Sequence, residues 1–343
     1  MSAALKTVSA GPGVTLQDAG RHGYLRYGVT AAGPMDRLAM ATANRAVGAA
    51  PGATAIEVSL GGIELVAEGA TLPLAIVGGA FDVSIDGHKL PPAVRLALTP
   101  GARLRIRAGA DGAWCYVAVG GRIDVPPVLG SNATHTRSSL GGIDGRALAT
   151  GDVLPVVDIG PCEGGAAGLT APWLARSDDP IRMILGPQDD YFSREQIERF
   201  CRERWTISHR SDRMAYFLEG PQIAPANGLN IVSDGIVMGA IQVLGDGRPM
   251  VLMADRQVTG GYPKIATVIG PDQGRLAQMR PGSSVRFATT AIEQAVAARR
   301  AERAILDAAI EAVPLVRHPS DDVLLESNLI SGVTAGSGNV DAD

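Results

Sequence analysis

Short apolar runs, each closed off by glycine, proline or an Asp-Gly pair, constrain this chain more than any other feature. Ala55–Leu60, Ile63–Ala67, Leu74–Val77, Phe81–Ile85, Leu104–Ala108 and Trp114–Val119 are all of this kind, rich in β-branched or alternating residues. Runs of 4–8 such residues bounded by turn formers read as strands. The 43 glycines and 22 prolines among 343 residues supply the punctuation. Asp86-Gly87, set between Val83-Ser84-Ile85 and the next apolar run, is a hairpin signal. The fold class that follows is mainly β.

Helical patterns are few. Met35, Leu38, Ala39, Ala43, Ala46 and Val47 form one stripe, with Asp36 placed to cap its start and Gly48 to stop it. In a second helix, Ser193 and Gln196 fit a capping box and Phe192 with Ile197 a hydrophobic staple. Its apolar face is Ile197, Phe200, Cys201 and Trp205. A long helix is predicted from about Ala291 to Ala312, with Thr290 and Glu293 as its capping box and Pro314 as its stop. Further strands are expected at Ile181–Leu185, Ala215–Leu218, Asn230–Val232, Ala240–Val243, Met250–Met253, Ile265–Val268 and Val285–Phe287, with a turn at Pro281-Gly282. Glycine, proline and alanine crowd together between Gly160 and Ser177. The expected division is therefore a β-rich N-terminal domain over 1–165, a barrel-like domain over 178–288, and a C-terminal helix with a flexible tail over 289–343.

Several function classes are excluded. Hydrophobic residues make up 46% and charged residues 19%, so the chain can build real cores. A net charge of −4 argues against a nucleic-acid partner. No stretch reaches the roughly 18–20 apolar residues of a membrane span, and the N-terminus lacks the apolar core of a signal peptide. The cytoplasm is the expected compartment. Cys115, Cys162 and Cys201 are too dispersed for a zinc site or a disulfide framework, and no metal is expected.

The candidate chemistry lies where polar residues sit among glycines, because there a backbone can approach a ligand while side chains converge on it. Gln17, Asp18 and Arg21 offer an amide, a carboxylate and a guanidinium within five residues; Asp18 and Arg21 either bind a substrate or bind each other. His22 beside them reads as a surface residue. Asp36 either caps its helix or marks a helix N-terminus open to an anion. In Gly130–Arg137, Asn132 and Thr134 suit an amide or carboxylate ligand, or else form a turn that bonds its own backbone. The segment Asp255-Arg256-Gln257-Val258-Thr259-Gly260-Gly261-Tyr262-Pro263-Lys264 is the strongest local candidate: it follows an apolar strand, Gly260-Gly261 is flanked by Arg256 and Lys264, and Asp255 is a possible acid, base or orienting group. Gln242 and Ser233-Asp234-Gly235 are expected near it. There is no G-x-x-x-x-G-K-[ST], no strand–G-x-G-x-x-G–helix unit, no H-E-x-x-H and no G-x-S-x-G. Several ligand-like loops without a complete catalytic device fit a component of a larger enzyme.

Taken in order, these motifs resemble the family of KipA and the C subunits of 5-oxoprolinases, also called the allophanate hydrolase subunit 2 or biotin-dependent carboxyltransferase family. The resemblance runs from Thr15-Leu16-Gln17-Asp18 through Arg21, Gly33-Pro34-Met35-Asp36, Asn44 and Ile56-Glu57-Val58 to Gly120–Ser131. It continues through Ser211-Asp212-Arg213-Met214, Leu218-Glu219-Gly220-Pro221, Ser233-Asp234-Gly235, Gly239–Val243 and Asp255–Lys264. It covers about residues 5–288. Ala215 stands where the family pattern has glycine, and Val258 where threonine is usual; neither change removes a charge.

The resemblance implies two strand-rich domains of cyclophilin-like β-barrel type. It implies one component, inactive alone, of an ATP-dependent 5-oxoprolinase that opens 5-oxo-L-proline to L-glutamate. The expected partners are a KipI-like B subunit plus a large A subunit. ATP is expected with or on these partners. Asp255, Arg256 and Lys264 would be the catalytic groups; Gln17, Asp18, Arg21, Asn132, Thr134, Gln242, Thr259, Gly260, Gly261 and Tyr262 would bind the small amide substrate. The alternatives are a carboxyltransferase component that passes carboxyl from biotin to urea-like amides, and a KipA-like regulatory binding protein.

Overall fold

The computed structural model describes residues 3–161, 166–170, 177–228, 230–312 and 315–317. Two sheets dominate it. The first has 12 strands, centred on two long ones, Leu72–Ile85 and Arg103–Val119, paired antiparallel along most of their length. The second has 8, in the order 284–285, 205–207, 215–219, 249–252, 240–243, 264–268, 181–185, 287–289. Its edge strands, Ser284–Val285 and Phe287–Thr289, are separated by Arg286 alone, so one stretch of chain joins both edges and nearly closes a barrel. The architecture is mainly β, with two strand-rich units and few helices, as the sequence pattern predicts.

Why the long strands read as two runs each is a matter of glycine. Gly78, Gly79 and Gly109 lie where these two strands cross with register shifts. A Cβ on Gly109 would run into the Ala80 carbonyl oxygen, and one on Gly79 would lie 2.9 Å from the Asp111 carbonyl oxygen. The glycines therefore permit a bulge and a close backbone approach rather than ending the strand. Gly109→Ala is expected to destabilise the protein by about 1–3 kcal/mol, the usual cost of forcing atoms into a packed site. Urea unfolding checks this; an unchanged midpoint would contradict the close-approach reading.

Both faces of the central strands are covered. Leu74, Ile76, Cys115 and Val117 enter the core of the first unit, whereas Ala75, Val77, Tyr116 and Ala118 face α1 (Arg37–Ala46) and share a core with the barrel residues Met183, Trp205, Val251 and Val268. Alternate burial on two sides explains unbroken apolar runs with a period of two. The other helices are α2 (Arg194–Arg202), α3 (Gly270–Ala277) and α4 (Ile292–Ala312), and α4 packs across α1 and α3.

Caps and turns largely follow expectation. Asp36 accepts a hydrogen bond from the Ala39 N–H at 3.1 Å, and Asp86-Gly87, both at positive φ, make the tight turn between Leu72–Ile85 and His88–Leu90. Four readings need correction. Asn230–Val232 is not a strand: Val232 is 91% exposed, and a β-branched residue here has no sheet to join. Trp205 belongs to the strand Trp205–Ile207 rather than to α2, and reaches the helix by packing on Phe200 at 5.1 Å between ring centroids. Ser193 does cap α2, accepting from the Gln196 N–H at 3.3 Å, but the Gln196 side chain accepts from the Ala224 N–H at 3.2 Å and does not complete the box. At α4, Gln294 rather than Glu293 receives the Thr290 hydroxyl, at 2.8 Å. Between the expected domains, Ala167–Leu169 is a strand of the first sheet, and Leu315–Arg317 returns to pair with it. Residues 162–165 and 171–176 of the expected boundary, Cys162 among them, Pro314 as the expected stop of α4, and residues 318–343 of the expected C-terminal helix and tail lie outside the described residues.

Candidate functional site

Three groups of polar residues emerge, and they have different characters. The first pins the two ligand-like loops of the N-terminal half to one another. Asp18 accepts from the Ser131 hydroxyl at 2.7 Å, the Gly20 N–H at 2.8 Å and the Asn132 N–H at 2.6 Å. Arg21, fully buried, donates to the carbonyls of Val128, Ser131 and Ala133. Gln17 donates to the Thr134 carbonyl and accepts from the Gly33 N–H; Thr134 donates to the Leu16 carbonyl, and Asn132 to the Thr54 hydroxyl. Gln17, Asp18, Arg21, Asn132 and Thr134 are thus brought together, and their bonds run mostly to backbone.

The second group is a buried ionic network between the two units. Glu57 sits opposite Tyr116 in the register of neighbouring strands, on the face that meets α1. It accepts from the Tyr116 hydroxyl and the Met35 N–H, each at 2.8 Å. Arg213 donates to Glu57, to the Gly33 carbonyl at 2.8 Å, and through two nitrogens to Asp255 at 2.9 and 2.8 Å. Burial pushes the Glu57 carboxyl up, against the pull of Arg213. Burial and the Glu57 charge hold the Tyr116 phenol well above its usual range, so it stays a donor. For Arg213, burial is outweighed by the charges of Asp255 and Glu57, which keep it firmly protonated. Beside it, Gln278 clamps Asp36 at 2.9 Å and the backbone of Ala113 and Trp114 at 3.0 Å. Asp255, expected as an acid or base, therefore has both oxygens engaged by a guanidinium.

The third group lies at the barrel surface and stays open. Asp234–Gly235 pairs with Thr259–Gly260 as a two-stranded ladder. This brings Asp234 to the Lys264 ammonium at 2.8 Å; the lysine side chain is 4% exposed and the aspartate 52%. Gln242 donates to the Tyr262 carbonyl at 3.2 Å and accepts from Gln257 at 3.4 Å. Gln188 accepts from the Lys264 N–H at 3.2 Å. Gly260 must lack a side chain, because a Cβ there would stand 2.6 Å from both the Gln242 amide nitrogen and Ile236. Tyr262 is 37% exposed at the rim. Lys264, Gln242, Thr259, Gly260, Gly261 and Tyr262 thus form one cluster, with Asp234 beside it as expected and Gln188 as an addition. Arg256 is turned away from it, donating to the Ile236 carbonyl at 3.2 Å.

The Lys264 ammonium, then the Gly235 N–H, hold the Asp234 carboxyl below its usual value. A depressed carboxyl contributes stability above its unfolded value of about 3.9 and loses it as pH falls through the folded value. The pair is therefore intact throughout the neutral range. A carbon-detected NMR titration should place Asp234 below about 3.9, and Lys264→Met should raise it toward the ordinary value, the Gly235 N–H still holding it somewhat low; no movement in the variant would show that Lys264 is not the main cause. Among the described residues, no group of three or more His, Cys, Asp or Glu is placed to hold a metal ion.

Sequence reasoning left Glu57, Arg213 and Gln278 out of the candidate set. A carboxylate inside the apolar strand Ala55–Val58 was the available signal for Glu57; nothing local marks Gln278.

Known proteins share this sequence pattern and this fold. The chain is 36% identical to the C subunit of 5-oxoprolinase from Escherichia coli (strain K12) over 299 residues, covering 86% of this chain and 94% of that protein. It is 32% identical over 334 residues to the urea amidolyase of Lachancea kluyveri, covering 90% of this chain but 18% of that one. The crystal structure of the K. lactis urea amidolyase superposes with a TM-score of 0.83 at 26% identity, over 93% of this chain and 20% of that chain. The profile of the carboxyltransferase domain, subdomains A and B, matches residues 27–289. On the sequence, the fold and this match together, the chain belongs to the carboxyltransferase domain family, subdomains A and B.

Proposed function

We propose that this chain is one component of an ATP-dependent 5-oxoprolinase, working with a KipI-like B subunit plus a large A subunit to convert 5-oxo-L-proline to L-glutamate. The observation that carries the reading is the extent of the match: it spans 94% of the E. coli 5-oxoprolinase protein, against 18% of the urea amidolyase. No helix among the described residues is long and apolar enough to cross a membrane, and the complex would work in the cytoplasm.

A lactam is a poor electrophile, and ATP, held with or by the partner subunits, would supply the phosphoryl group that activates its carbonyl. The residues of this chain would position the ring and manage charge. The Lys264 ammonium, held in place by Asp234 at 2.8 Å, is suited to stabilise negative charge developing on the carbonyl oxygen; preoriented donors of this kind are worth several kcal/mol where water is thinned out. Gln242, fixed by Tyr262 and Gln257, would read the ring amide, and Thr259, Gly260 and Gly261 would admit the substrate close to the backbone. Asp255 acts through Arg213 as a positioning group. Gln17, Asp18, Arg21, Asn132 and Thr134 hold the loops that support the junction.

A second reading is favoured by the amidolyase similarity: a carboxyltransferase component that uses carboxybiotin and a urea-like amide. The two separate when the assembled complex is offered 5-oxoproline with ATP, or urea with ATP and bicarbonate. The 5-oxoprolinase reading expects glutamate from the first and no carboxylated product from the second; carboxylated urea, with a biotinylated partner captured on streptavidin, would replace it with the second reading.

A further inference from the structure

A cavity of about 510 Å³ opens between the barrel, the loop carrying His22 and Leu25, the start of α3, and α4. It shares no lining residue with the Lys264 cluster, and its lining is unusual in sign. Arg37, Arg256 and Arg299 border it, and no described lining residue is an aspartate or glutamate. Arg256 is 7% exposed, and among the described residues no carboxylate lies within ion-pair distance; its hydrogen-bond partners are the carbonyls of Ile236, Met253 and Ala254. Arg37 feels Glu302 only from beyond the cavity lining. Arg299 pairs with that same Glu302, at 3.8 Å. The guanidinium of Arg299 lies over Gly270, where a Cβ would displace it. Burial and the neighbouring Arg37 lower Arg256 to about 10, so the cations crowd one another.

The upper walls are apolar and open to solvent: Leu25 is 43% exposed, Val237 55%, Ile292 64% and Val296 44%. Exposed apolar side chains gathered around a concave site mark ligand or partner surfaces, and the volume falls within the roughly 300–1,000 Å³ range of small-molecule pockets. One whole side of the cavity is α4. Ile292, Ala295, Val296 and Arg299 form it, yet α4 begins beyond residue 289, where the family match ends.

We infer that this cavity is a binding site for a small amphiphilic oxyanion, a carboxylate or phosphate head on a short apolar body, completed by α4. The head would neutralise Arg256, a buried cation with no carboxylate at ion-pair distance among the described residues, and the exposed Arg37 and Arg299 at the rim would add to its attraction. The body would lie on Leu25, Val237, Ile292 and Val296. The site is independent of the proposed reaction.

Isothermal titration of the full chain with octanoate, octyl phosphate, 1-octanol and inorganic phosphate tests this. One-to-one binding of octanoate or octyl phosphate is expected, weakening with salt, with octanol and inorganic phosphate binding far more weakly. Which head binds tells whether the natural ligand is a carboxylate or a phosphate. Arg299→Ala, on an exposed helix face, should weaken binding roughly tenfold, about 1.4 kcal/mol, and Val296→Trp should block it by filling the cavity. Octanol binding as well as octanoate, inorganic phosphate binding as well as octyl phosphate, affinity unmoved in both variants, or no binding of either amphiphile would each overturn the inference.

Discussion

Arg213→Ala is expected to cost about 3–5 kcal/mol of folding stability, the range for breaking a buried ion pair by removing one partner. The side chain is 10% exposed and joins Glu57, at 0%, to Asp255, at 7%. Without it, two carboxylates stay in a low-dielectric junction with a phenol and backbone N–H groups as their remaining partners. Both would be driven toward their protonated forms, and the contact between barrel and first sheet would loosen. At about 2–4 °C per kcal/mol for larger domains, melting should fall by on the order of 10 °C. The compensating test replaces the whole network: Arg213→Met with Glu57→Gln and Asp255→Asn should recover much of the loss, because the penalty comes from uncompensated charge and not from lost volume. If Arg213→Ala alone melts like the parent, the network does not hold the units together.

The largest expected effect on activity is at Lys264. In the assembled complex, Lys264→Met should lower kcat for glutamate formation by about 10²–10³-fold, the usual effect of removing a single preoriented stabiliser of developing charge. The melting temperature should change little, since the ammonium's one ion-pair partner among the described residues, Asp234, is half exposed and solvent weakens such pairs. Lys264→Arg should recover part of the rate. A KM change with kcat intact would instead assign Lys264 to ground-state binding. The Asp255→Asn variant gives the contrast: its effect should appear in stability and in the position of the 255–264 loop before it appears in the chemical step.

The sequence foretells these features unevenly, for physical reasons. Local devices were legible. Asp36 caps α1 and Asp86-Gly87 makes its hairpin because both depend on a few adjacent residues. The strands holding Gly78, Gly79 and Gly109 were cut in two, since a glycine that ends a strand and a glycine that lets two backbones cross look alike until the partner strand is known. Val232 looked like a strand residue by type, but a strand needs a neighbour to pair with. Of the polar residues that sit among glycines, Lys264, Gln242 and Thr259–Tyr262 do meet. What no local pattern reveals is the partner. Arg213 finds Glu57 156 residues away, and Gln278 finds Asp36 across 242. Arg256 and Asp255 are adjacent in sequence yet face opposite ways, one toward the Ile236 carbonyl and the other toward Arg213.

If this chain is an indispensable part of a 5-oxoprolinase, its absence must abolish the reaction. The most direct test is glutamate formation from 5-oxoproline and ATP by the co-expressed chain with its A-like and B-like partners, omitting each of the three in turn. Glutamate from the complete set, and none when this chain is omitted, is the predicted result. Equal glutamate without this chain, or none from an intact complex that still turns over ATP, would contradict it.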